Sequence, residues 1–285
     1  MPKRSFSKQK FDFGFIQGRM SRTPSKEILQ YFPQENWRKE FLYASKNNFR
    51  FIEYFAERKF NEKNPFWSSH GLNEIKYLSN KYKLVNYSFC DDYFIKQNFL
   101  NFKNFKNYTK KIVKNLSSLK IKIYILALLE KSNINEKNYK NFVQRLKYFS
   151  HYLGKKKIKL ALETNLDNSS LKKLISLVKQ KNFSIVYDTG NRFNKKKSQY
   201  EDIIELRKYI SHIHLKDKNL KGKNVVIGSG KVNFKEIFKA IKKVKYCGKF
   251  AFETNRGFEP VETMKRNREY ILKIIKSLKN KKADQ

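Results

Sequence analysis

Four apolar segments in the second half of the chain each lead directly into residues that can bind a metal or move a proton. They are K-L-A-L-E at 159–163, S-I-V-Y-D at 184–188, S-H-I-H-L-K-D at 211–217 and K-F-A-F-E at 249–253. In the third segment His212 and His214 face the same side, because side chains alternate along a strand. An apolar strand that ends on a polar residue, repeated with helices between, is typical of a parallel barrel whose chemistry lies at one rim.

Strand-like and helix-like segments alternate along the whole chain. The predicted strands cover residues 11–17, 49–55, 84–90, 121–129, 158–162, 183–187, 210–215 and 250–252. The predicted helices cover residues 35–47, 72–82, 99–119, 139–153, 171–179, 200–209, 234–244 and 261–278. We predict an α/β fold with a single domain over residues 1–285, a (β/α)₈ TIM barrel, because such a barrel needs about 250 residues. The polar ends, 1–10 and 279–285, are predicted to be loose tails.

The chain is strongly basic. It has 64 Lys and Arg residues against 25 Asp and Glu, which gives a formal net charge of +39. A charge of this size can indicate a polyanionic partner such as nucleic acid or membrane phosphate. The lysines, however, are spread over nearly every predicted helix, so we interpret them as solvated helix faces and disfavour a nucleic-acid partner. The charge would still attract a phosphorylated sugar.

Cysteine usage and hydropathy indicate the compartment. Cys90 and Cys247 lie far apart and outside any C-x-x-C pair, so we expect two free thiols in a reducing environment. Residues 1–10 lack the apolar core of a signal peptide, and no segment approaches the ~20 apolar residues that a membrane helix requires. We therefore expect a cytoplasmic protein without a membrane partner.

Glu163, Asp188, His214 and Glu253 lie at the predicted C-terminal ends of strands five to eight. Neighbouring strand ends converge in a barrel, so three carboxylates and one imidazole can meet around one ion. This mixture suits Mn²⁺, Mg²⁺ or Co²⁺ better than a structural zinc site, which prefers thiolates and imidazoles. Any one acid alone could be a helix cap or an ion-pair partner, but four in register favour a metal site.

Other polar residues lie near the same predicted rim. His212 is either a core histidine or a partner that orients a metal ligand. Lys216 is a candidate contact for a substrate hydroxyl or phosphate, with a solvated lysine as the alternative. Arg256 is placed to hold an anion or a hydroxyl group.

Two further stretches could complete a pocket. Residues 228–230, Gly-Ser-Gly, precede the predicted helix 234–244, and backbone amides beside a helix start can bind phosphate, although a plain turn explains the same residues. Gln17, Arg19 and Glu53, at the ends of strands one and two, are expected to line the pocket opposite the metal.

Several short motifs occur in a characteristic order along nearly the whole chain. They are G-F-I-Q-G-R-M-S at 14–21, L-L-E-K-S at 128–132, L-A-L-E-T-N at 160–165, V-Y-D-T-G-N at 186–191, H-I-H-L-K-D at 212–217, I-G-S-G-K-V-N-F at 227–234 and F-E-T-N-R at 252–256. Together they resemble the xylose isomerase-like TIM-barrel superfamily. Within it the motifs are most similar to sugar phosphate isomerases and epimerases, such as L-ribulose-5-phosphate 3-epimerase and hexulose-6-phosphate isomerase.

The resemblance implies a metal-dependent isomerase or epimerase of a small sugar or sugar phosphate. Glu163, Asp188, His214 and Glu253 would bind one divalent ion, with Mn²⁺ as the first choice and Mg²⁺ or Co²⁺ as alternatives. Glu163 and Glu253 would be the catalytic residues, flanking the substrate carbon on opposite faces. One would remove a proton to form a metal-stabilised enediolate, and the other would return a proton.

The same superfamily contains endonuclease IV, which cuts DNA at abasic sites with three zinc ions. That site requires more histidines, one of them three residues after the sixth-strand acid, where this chain has Asn191. His70 and His151 are the only histidines outside the seventh strand, so a three-zinc site cannot be assembled. Some ketose 3-epimerases also place a histidine at the Asn191 position, so Asn191, a candidate substrate contact, leaves the identity of the sugar open.

The sequence therefore favours an isomerase over two alternatives, a DNA-repair nuclease and a barrel that binds a sugar without turning it over. The sugar, its phosphorylation and the oligomeric state stay open at this point. A homodimer is one option for the oligomeric state.

Overall fold

The computed structural model describes residues 11–24, 30–135, 137–194 and 197–280. Within them, eight parallel strands close into a barrel, and β1 pairs with both its neighbours β2 and β10. The barrel strands are β1 (Phe13–Ile16), β2 (Phe51–Ala56), β3 (Ser88–Asp91), β4 (Ile123–Leu128), β5 (Lys159–Thr164), β6 (Phe183–Asp188), β7 (Ile210–Leu215) and β10 (Lys249–Phe252). A short antiparallel hairpin, β8 (Asp217–Lys218) and β9 (Asn224–Val225), follows β7. The predicted TIM barrel is confirmed.

Helices surround the barrel and connect its strands. They are α1 (Trp37–Lys46), α2 (Ser69–Lys81), α3 (Tyr93–Lys96), α4 (Phe105–Ser118), α5 (Tyr139–Gly154), α6 (Asn168–Val178), α7 (Gln199–Leu206), α8 (Phe234–Lys243) and α9 (Pro260–Asn280). Side chains of Ser68, Asp167, Ser198 and Asn233 accept the hydrogen bonds of otherwise unpaired amides at the starts of α2, α6, α7 and α8.

Most predicted boundaries differ from the structure by a few residues, and two of the differences are instructive. The helix expected at 99–119 begins only at Phe105, because the side-chain oxygen of Asn98 accepts from the amides of Leu100 and Asn101 and closes a turn there. The last helix continues to Asn280, two residues into the predicted tail. Residues 1–10 and 281–285 lie outside the described part of the chain.

The helices pack an apolar face against the strands and expose lysine. In α8, Phe234, Ile237 and Ile241 are buried, whereas Lys235 and Lys239 are exposed. This arrangement agrees with the interpretation of the lysines as solvated helix faces. No helix in the described residues is long and apolar enough to cross a membrane. Both cysteines are free.

The register of the strands decides which side chains meet inside the barrel. Asp188 pairs with His214, and His214 pairs with Ala251, two residues before Glu253. Ala127 pairs with Glu163 on the other side. Between β6 and β7 the register shifts by one residue, so that Ile185 pairs with Ile210 but Val186 pairs with His212. The shift places His212 beside Val186 and His214 beside Asp188.

A buried carboxylate fixes the loop after β1. Glu40 on α1 accepts hydrogen bonds from the amides of Gly18 (2.7 Å) and Met20 (3.0 Å) and from the hydroxyl of Ser21 (3.0 Å). Gly18 has φ +88°, which favours glycine, and a Cβ there would lie 2.0 Å from the carbonyl oxygen of Tyr31. Burial raises the pKa of Glu40 to about 7.

We expect Glu40 to make stability depend on pH. Because the pKa of Glu40 rises from 4.5 to about 7 on folding, the folded state binds its proton more tightly, and stability falls as pH rises through this window. The loss should reach about 3 kcal/mol, since one pKa unit corresponds to about 1.4 kcal/mol. Glu40→Gln removes this titration, so the stability of the wild type relative to the variant should fall between pH 5 and pH 8.

Urea unfolding of both proteins at four pH values measures this difference. Glu262→Gln, a change on the exposed side of α9, is the control and should leave the pH profile unaltered. A wild-type minus Glu40→Gln difference that is constant with pH would contradict the prediction.

Candidate active site

The structure brings the four predicted metal ligands together at the C-terminal end of the barrel. Glu163, Asp188, His214 and Glu253 are buried, and each offers one ligand atom within 4.8 Å of the others. Nδ1 of His214 lies 3.1 Å from Oε2 of Glu253, 3.8 Å from Oε2 of Glu163 and 3.9 Å from Oδ2 of Asp188. We refer to these four residues as the ligand cluster.

Glu53 orients His214 from below the ligand cluster. Its Oε1 lies 2.8 Å from Nε2 of His214, which leaves Nδ1 to face the cluster. Glu53 is fully buried beneath the ligand cluster and is not among the residues that line the cavity above it, whereas the sequence had suggested that it lines the pocket. Burial raises the pKa of Glu53, but the neighbouring His214 and His212 outweigh burial and lower it to about 2.

His212 is the second imidazole beside Glu53. Its Nε2 lies 2.9 Å from Oε2 of Glu53, and its ring packs near the rings of Phe51 and Tyr87. Burial lowers the pKa of His212. His212 thus lies in the barrel interior beside Glu53, and it does not line the cavity that opens above the ligand cluster.

The segment after β6 positions two other site residues. Thr189 Oγ1 accepts from the amide of Lys216 (2.8 Å) and donates to its carbonyl (2.7 Å). A Cβ at Gly190 would lie 2.7 Å from Cγ of Lys216, so glycine leaves room for the lysine stem. Nδ2 of Asn191 donates to Oε1 of Glu163 (2.8 Å). Asn191 therefore orients Glu163 with Oε2 toward the ligand cluster.

Lys216 reaches into the ligand cluster itself. Its Nζ lies 2.9 Å from Oδ2 of Asp188 and 2.9 Å from Oε2 of Glu253. Burial lowers the pKa of Lys216, but Asp188 and Glu253 outweigh burial, so the pKa lies above its usual value. Lys216 is therefore a buried cation on the cavity wall, and not the solvated lysine that was the alternative to a substrate contact.

The two glutamates experience opposite electrostatic environments. Burial, reinforced by the charge of Glu253, raises the pKa of Glu163 to about 8. Burial would also raise the pKa of Glu253, but Lys216 and His214 outweigh it and hold this pKa well below its usual value. Such a separation of pKa values is typical of a pair of groups that divide the roles of acid and base.

Glu253 receives further support from the rim of β1. Nε2 of Gln30 donates to its Oε1 (3.1 Å), and Nη2 of Arg19 lies 3.7 Å from the same oxygen. Gln17 and Arg256 are also buried here. Arg256 donates from Nε to the carbonyl of Gly18 (2.7 Å), so it holds the β1 loop. Neither Gln17 nor Arg256 lines the cavity above the cluster, where the sequence analysis expected both to meet substrate.

A cavity of 390 Å³ opens above the ligand cluster. Its wall is formed by Gln30, Arg58, Asp92, Ile95, Ala127, Leu129, Glu163, Asn191, Lys216, Asn224 and Glu253. Gln30, Arg58, Asp92 and Asn224 were not predicted as site residues from the sequence. Of these, Asp92 directly follows β3, and Glu163 and Asp188 lie at the ends of β5 and β6, so the same strand-end pattern could have found it. The cavity size and its polar groups fit a small hydrophilic molecule.

The Gly-Ser-Gly loop does not offer free amides for a phosphate. Oδ2 of Asp217 accepts from the amides of Gly228 and Gly230 (both 2.9 Å), and its Oδ1 accepts from the amide of Val232 (3.2 Å). The carboxylate thus takes the place that a phosphate would need, and the alternative of a structural turn is the one that the structure supports.

The donor set of the ligand cluster fits a divalent ion. Nδ1 of His214, Oδ2 of Asp188 and Oε2 of Glu253 are buried, and none makes a well-directed hydrogen bond to another described residue. Three carboxylates and one imidazole match the preferences of Mn²⁺, Mg²⁺ and Co²⁺. A second group, Glu53 with His212 and His214, is also compact. In it Glu53 is already engaged by the 2.8 Å hydrogen bond to His214, and Nε2 of His212 lies 2.9 Å from its other carboxylate oxygen.

The comparison by sequence and the comparison by structure indicate the same fold for this chain. Over residues 41–274 the chain matches a family model described as xylose isomerase-like TIM barrel. The comparison with curated proteins found no match for the chain. D-psicose 3-epimerase from Clostridium cellulolyticum H10, solved with D-tagatose, is 15% identical, with a TM-score of 0.72 over 94% of this chain and 99% of that one.

Two other solved structures show the range of similar proteins. A xylose isomerase-like TIM barrel protein from Mycobacterium smegmatis, solved with magnesium, is 16% identical, with a TM-score of 0.71 over 96% of this chain and 99% of that one. An AP endonuclease of family 2 from Brucella melitensis is 13% identical, with a TM-score of 0.70 over 92% and 99%. At such identities the likeness concerns the fold.

We predict that Glu53→Gln weakens divalent-metal binding by about 10- to 100-fold, because a neutral amide orients the His214 ring less firmly and makes Nδ1 less basic. Calorimetric titration with Mn²⁺ measures this change. Glu57→Gln is the matched control, since Glu57 bonds to Asn61 and Asn64 just after β2 and does not contact His214. An unchanged dissociation constant in folded Glu53→Gln would show that Glu53 does not support a metal ligand.

Proposed function

The chain belongs to the xylose isomerase-like TIM-barrel family, and on that premise we propose that it isomerises or epimerises a small sugar or sugar phosphate with one bound divalent ion. The observation that carries the proposal is the pair Glu163 and Glu253. Both carboxylates lie on the wall of one cavity, within the ligand cluster, and their pKa values are displaced in opposite directions.

Glu163, Asp188, His214 and Glu253 would hold the ion. We propose Mn²⁺ as the first choice, with Mg²⁺ or Co²⁺ as alternatives, because all three accept carboxylate oxygens with one imidazole. When bound, a divalent ion supplies positive charge that stabilises the oxygen anion formed when the carbon beside a ketose carbonyl loses its proton.

The residues of the chain supply the proton transfers. Positive charge beside Glu253, from Lys216 or from a divalent ion in its place, favours its ionised form, which is suited to accept a proton, whereas Glu163, with its raised pKa, is suited to donate one. Inversion at a carbon requires these roles on opposite faces of the substrate. Asn191 fixes the direction of Glu163 and Gln30 fixes that of Glu253, so both carboxylates are preorganised.

The cavity wall would bind the rest of the sugar. Asp92, Asn191 and Asn224 can accept or donate hydrogen bonds to hydroxyl groups. Since Asp217 fills the Gly-Ser-Gly loop, Arg58 is the group best placed to meet a phosphate at the mouth, where it now pairs with Glu130 at 3.0 Å. Free and phosphorylated ketoses are therefore both candidate substrates.

A nuclease with three metal ions is not supported. Within the described residues, His70 and His151 are exposed, and neither belongs to a group of ligands that could hold an ion. The net charge of +39 and the fold shared with an AP endonuclease supply no further ligands.

Deuterium uptake from D₂O into a panel of ketoses and ketose phosphates, with and without Mn²⁺, tests the proposal. We expect metal-dependent exchange at one carbon. Glu163→Gln and Glu253→Gln should each lower the exchange rate by about 10²- to 10⁴-fold, because each removes a group that carries the proton. Glu130→Gln, which alters a carboxylate at the cavity mouth outside the ligand cluster, should retain most of the rate.

Full turnover by both glutamate variants would exclude their proton-transfer role. Sugar binding to the wild type without any exchange would instead indicate a barrel that binds but does not react.

A further inference from the structure

The ammonium group of Lys216 touches the same atoms that a metal ion would use. Its Nζ lies 2.9 Å from Oδ2 of Asp188 and 2.9 Å from Oε2 of Glu253. These two oxygens also face Nδ1 of His214, at 3.9 and 3.1 Å. Like charges repel strongly at such separations in a buried site, so an ammonium and a divalent ion cannot share these oxygens without one of them moving.

The main chain of Lys216 cannot be the part that moves. Thr189 Oγ1 hydrogen-bonds to both the amide and the carbonyl of Lys216. Two residues earlier, the carbonyl of His214 on β7 accepts from the amide of Thr189, which follows β6 (3.0 Å), so this segment is also tied to the neighbouring strand. The side chain, in contrast, is a flexible stem that passes over Gly190 and borders the 390 Å³ cavity. Lys216 exposes only 3% of its surface, so the cavity is the direction in which its ammonium can turn.

We propose that Lys216 is a displaceable counter-cation of the ligand cluster. A divalent ion that binds Glu163, Asp188, His214 and Glu253 expels the ammonium from between Asp188 and Glu253 and turns it into the cavity. This inference rests on the proposed function, because it takes the same four residues as ligands. It assigns Lys216 two positions, one that neutralises the carboxylates and one that presents a positive charge to the oxygens of a substrate.

The exchange has two measurable consequences. Removal of the ammonium leaves buried carboxylates without a counter-charge, which destabilises the protein alone. A variant without the ammonium also lacks the group that competes with the ion for the carboxylates. It should therefore bind the ion more tightly and gain more stability from it. A lysine that only contacted substrate would produce neither effect.

The test compares Lys216→Met with Lys218→Met in the full chain. Methionine keeps an apolar stem of similar length without the charge. Lys218 is the matched control, since its Nζ lies 3.1 Å from Oδ1 of Asn191 and forms no ion pair with the ligand cluster. Calorimetric titration with Mn²⁺ gives the dissociation constant, and thermal unfolding with and without Mn²⁺ gives the stabilisation by the ion.

We expect Lys216→Met to bind Mn²⁺ at least ten times more tightly than the wild type and to show the larger rise in Tm on Mn²⁺ addition. Lys218→Met should stay within threefold of the wild type. If Lys216→Met folds only with the ion present, it is prepared with Mn²⁺, and release into excess chelator should be slower than from the wild type.

An equal or weaker affinity in Lys216→Met, or faster release, would overturn the exchange. Equal tightening in both lysine variants would also overturn it, because the effect would then reflect net charge alone. If the wild type binds Mn²⁺ but Lys216→Met does not bind it more tightly, the proposed function stands without the exchange. If neither wild type nor variant binds any divalent ion, both inferences fall.

Discussion

The site depends on how charge is neutralised along the interior of the barrel. Water cannot solvate a carboxylate at this depth, so each buried charge requires a partner of opposite sign. Glu53 lies between the two imidazoles, His214 joins it to the ligand cluster, and Lys216 balances Asp188 and Glu253. The result is a column of alternating charge that shifts the pKa values of Glu163, Lys216 and Glu253.

This column differs in character from the outside of the molecule. The surface carries the large excess of lysine on solvated helix faces, whereas the barrel interior holds the buried acids Glu53, Glu163, Asp188 and Glu253. A positive surface around a site of acidic ligands would raise the local concentration of anionic substrates without changing the chemistry at the ligand cluster. Under the proposed function, the net charge would affect the arrival of an anionic substrate, and the ligand cluster would act on it.

The four residues D-T-G-N at the end of β6 illustrate how closely the site is assembled. Asp188 belongs to the ligand cluster, Thr189 hydrogen-bonds to the main chain of Lys216, Gly190 makes room for its stem, and Asn191 orients Glu163. Because Asn191 bonds to Glu163 and also lines the cavity, a change at this position would affect both the direction of Glu163 and the shape of the cavity.

The sequence by itself determined the barrel and the four members of the ligand cluster. Both follow from local information, since apolar strands alternate with helices and each of the four strands carries its polar residue at or next to its C-terminal end. The tertiary structure decided what these residues contact. The one-residue shift between β6 and β7 aligns His214 with Asp188, and folding brings Glu53 under His214 across 161 positions of sequence.

Three other contacts could not be predicted from the sequence. They are the contact of Glu53 with His214 deep in the barrel, the ion pairs of Lys216 with carboxylates, and the hydrogen bonds from the Gly-Ser-Gly amides to Asp217. Each depends on the distance between side chains of different elements, which strand register and packing set and local patterning does not encode.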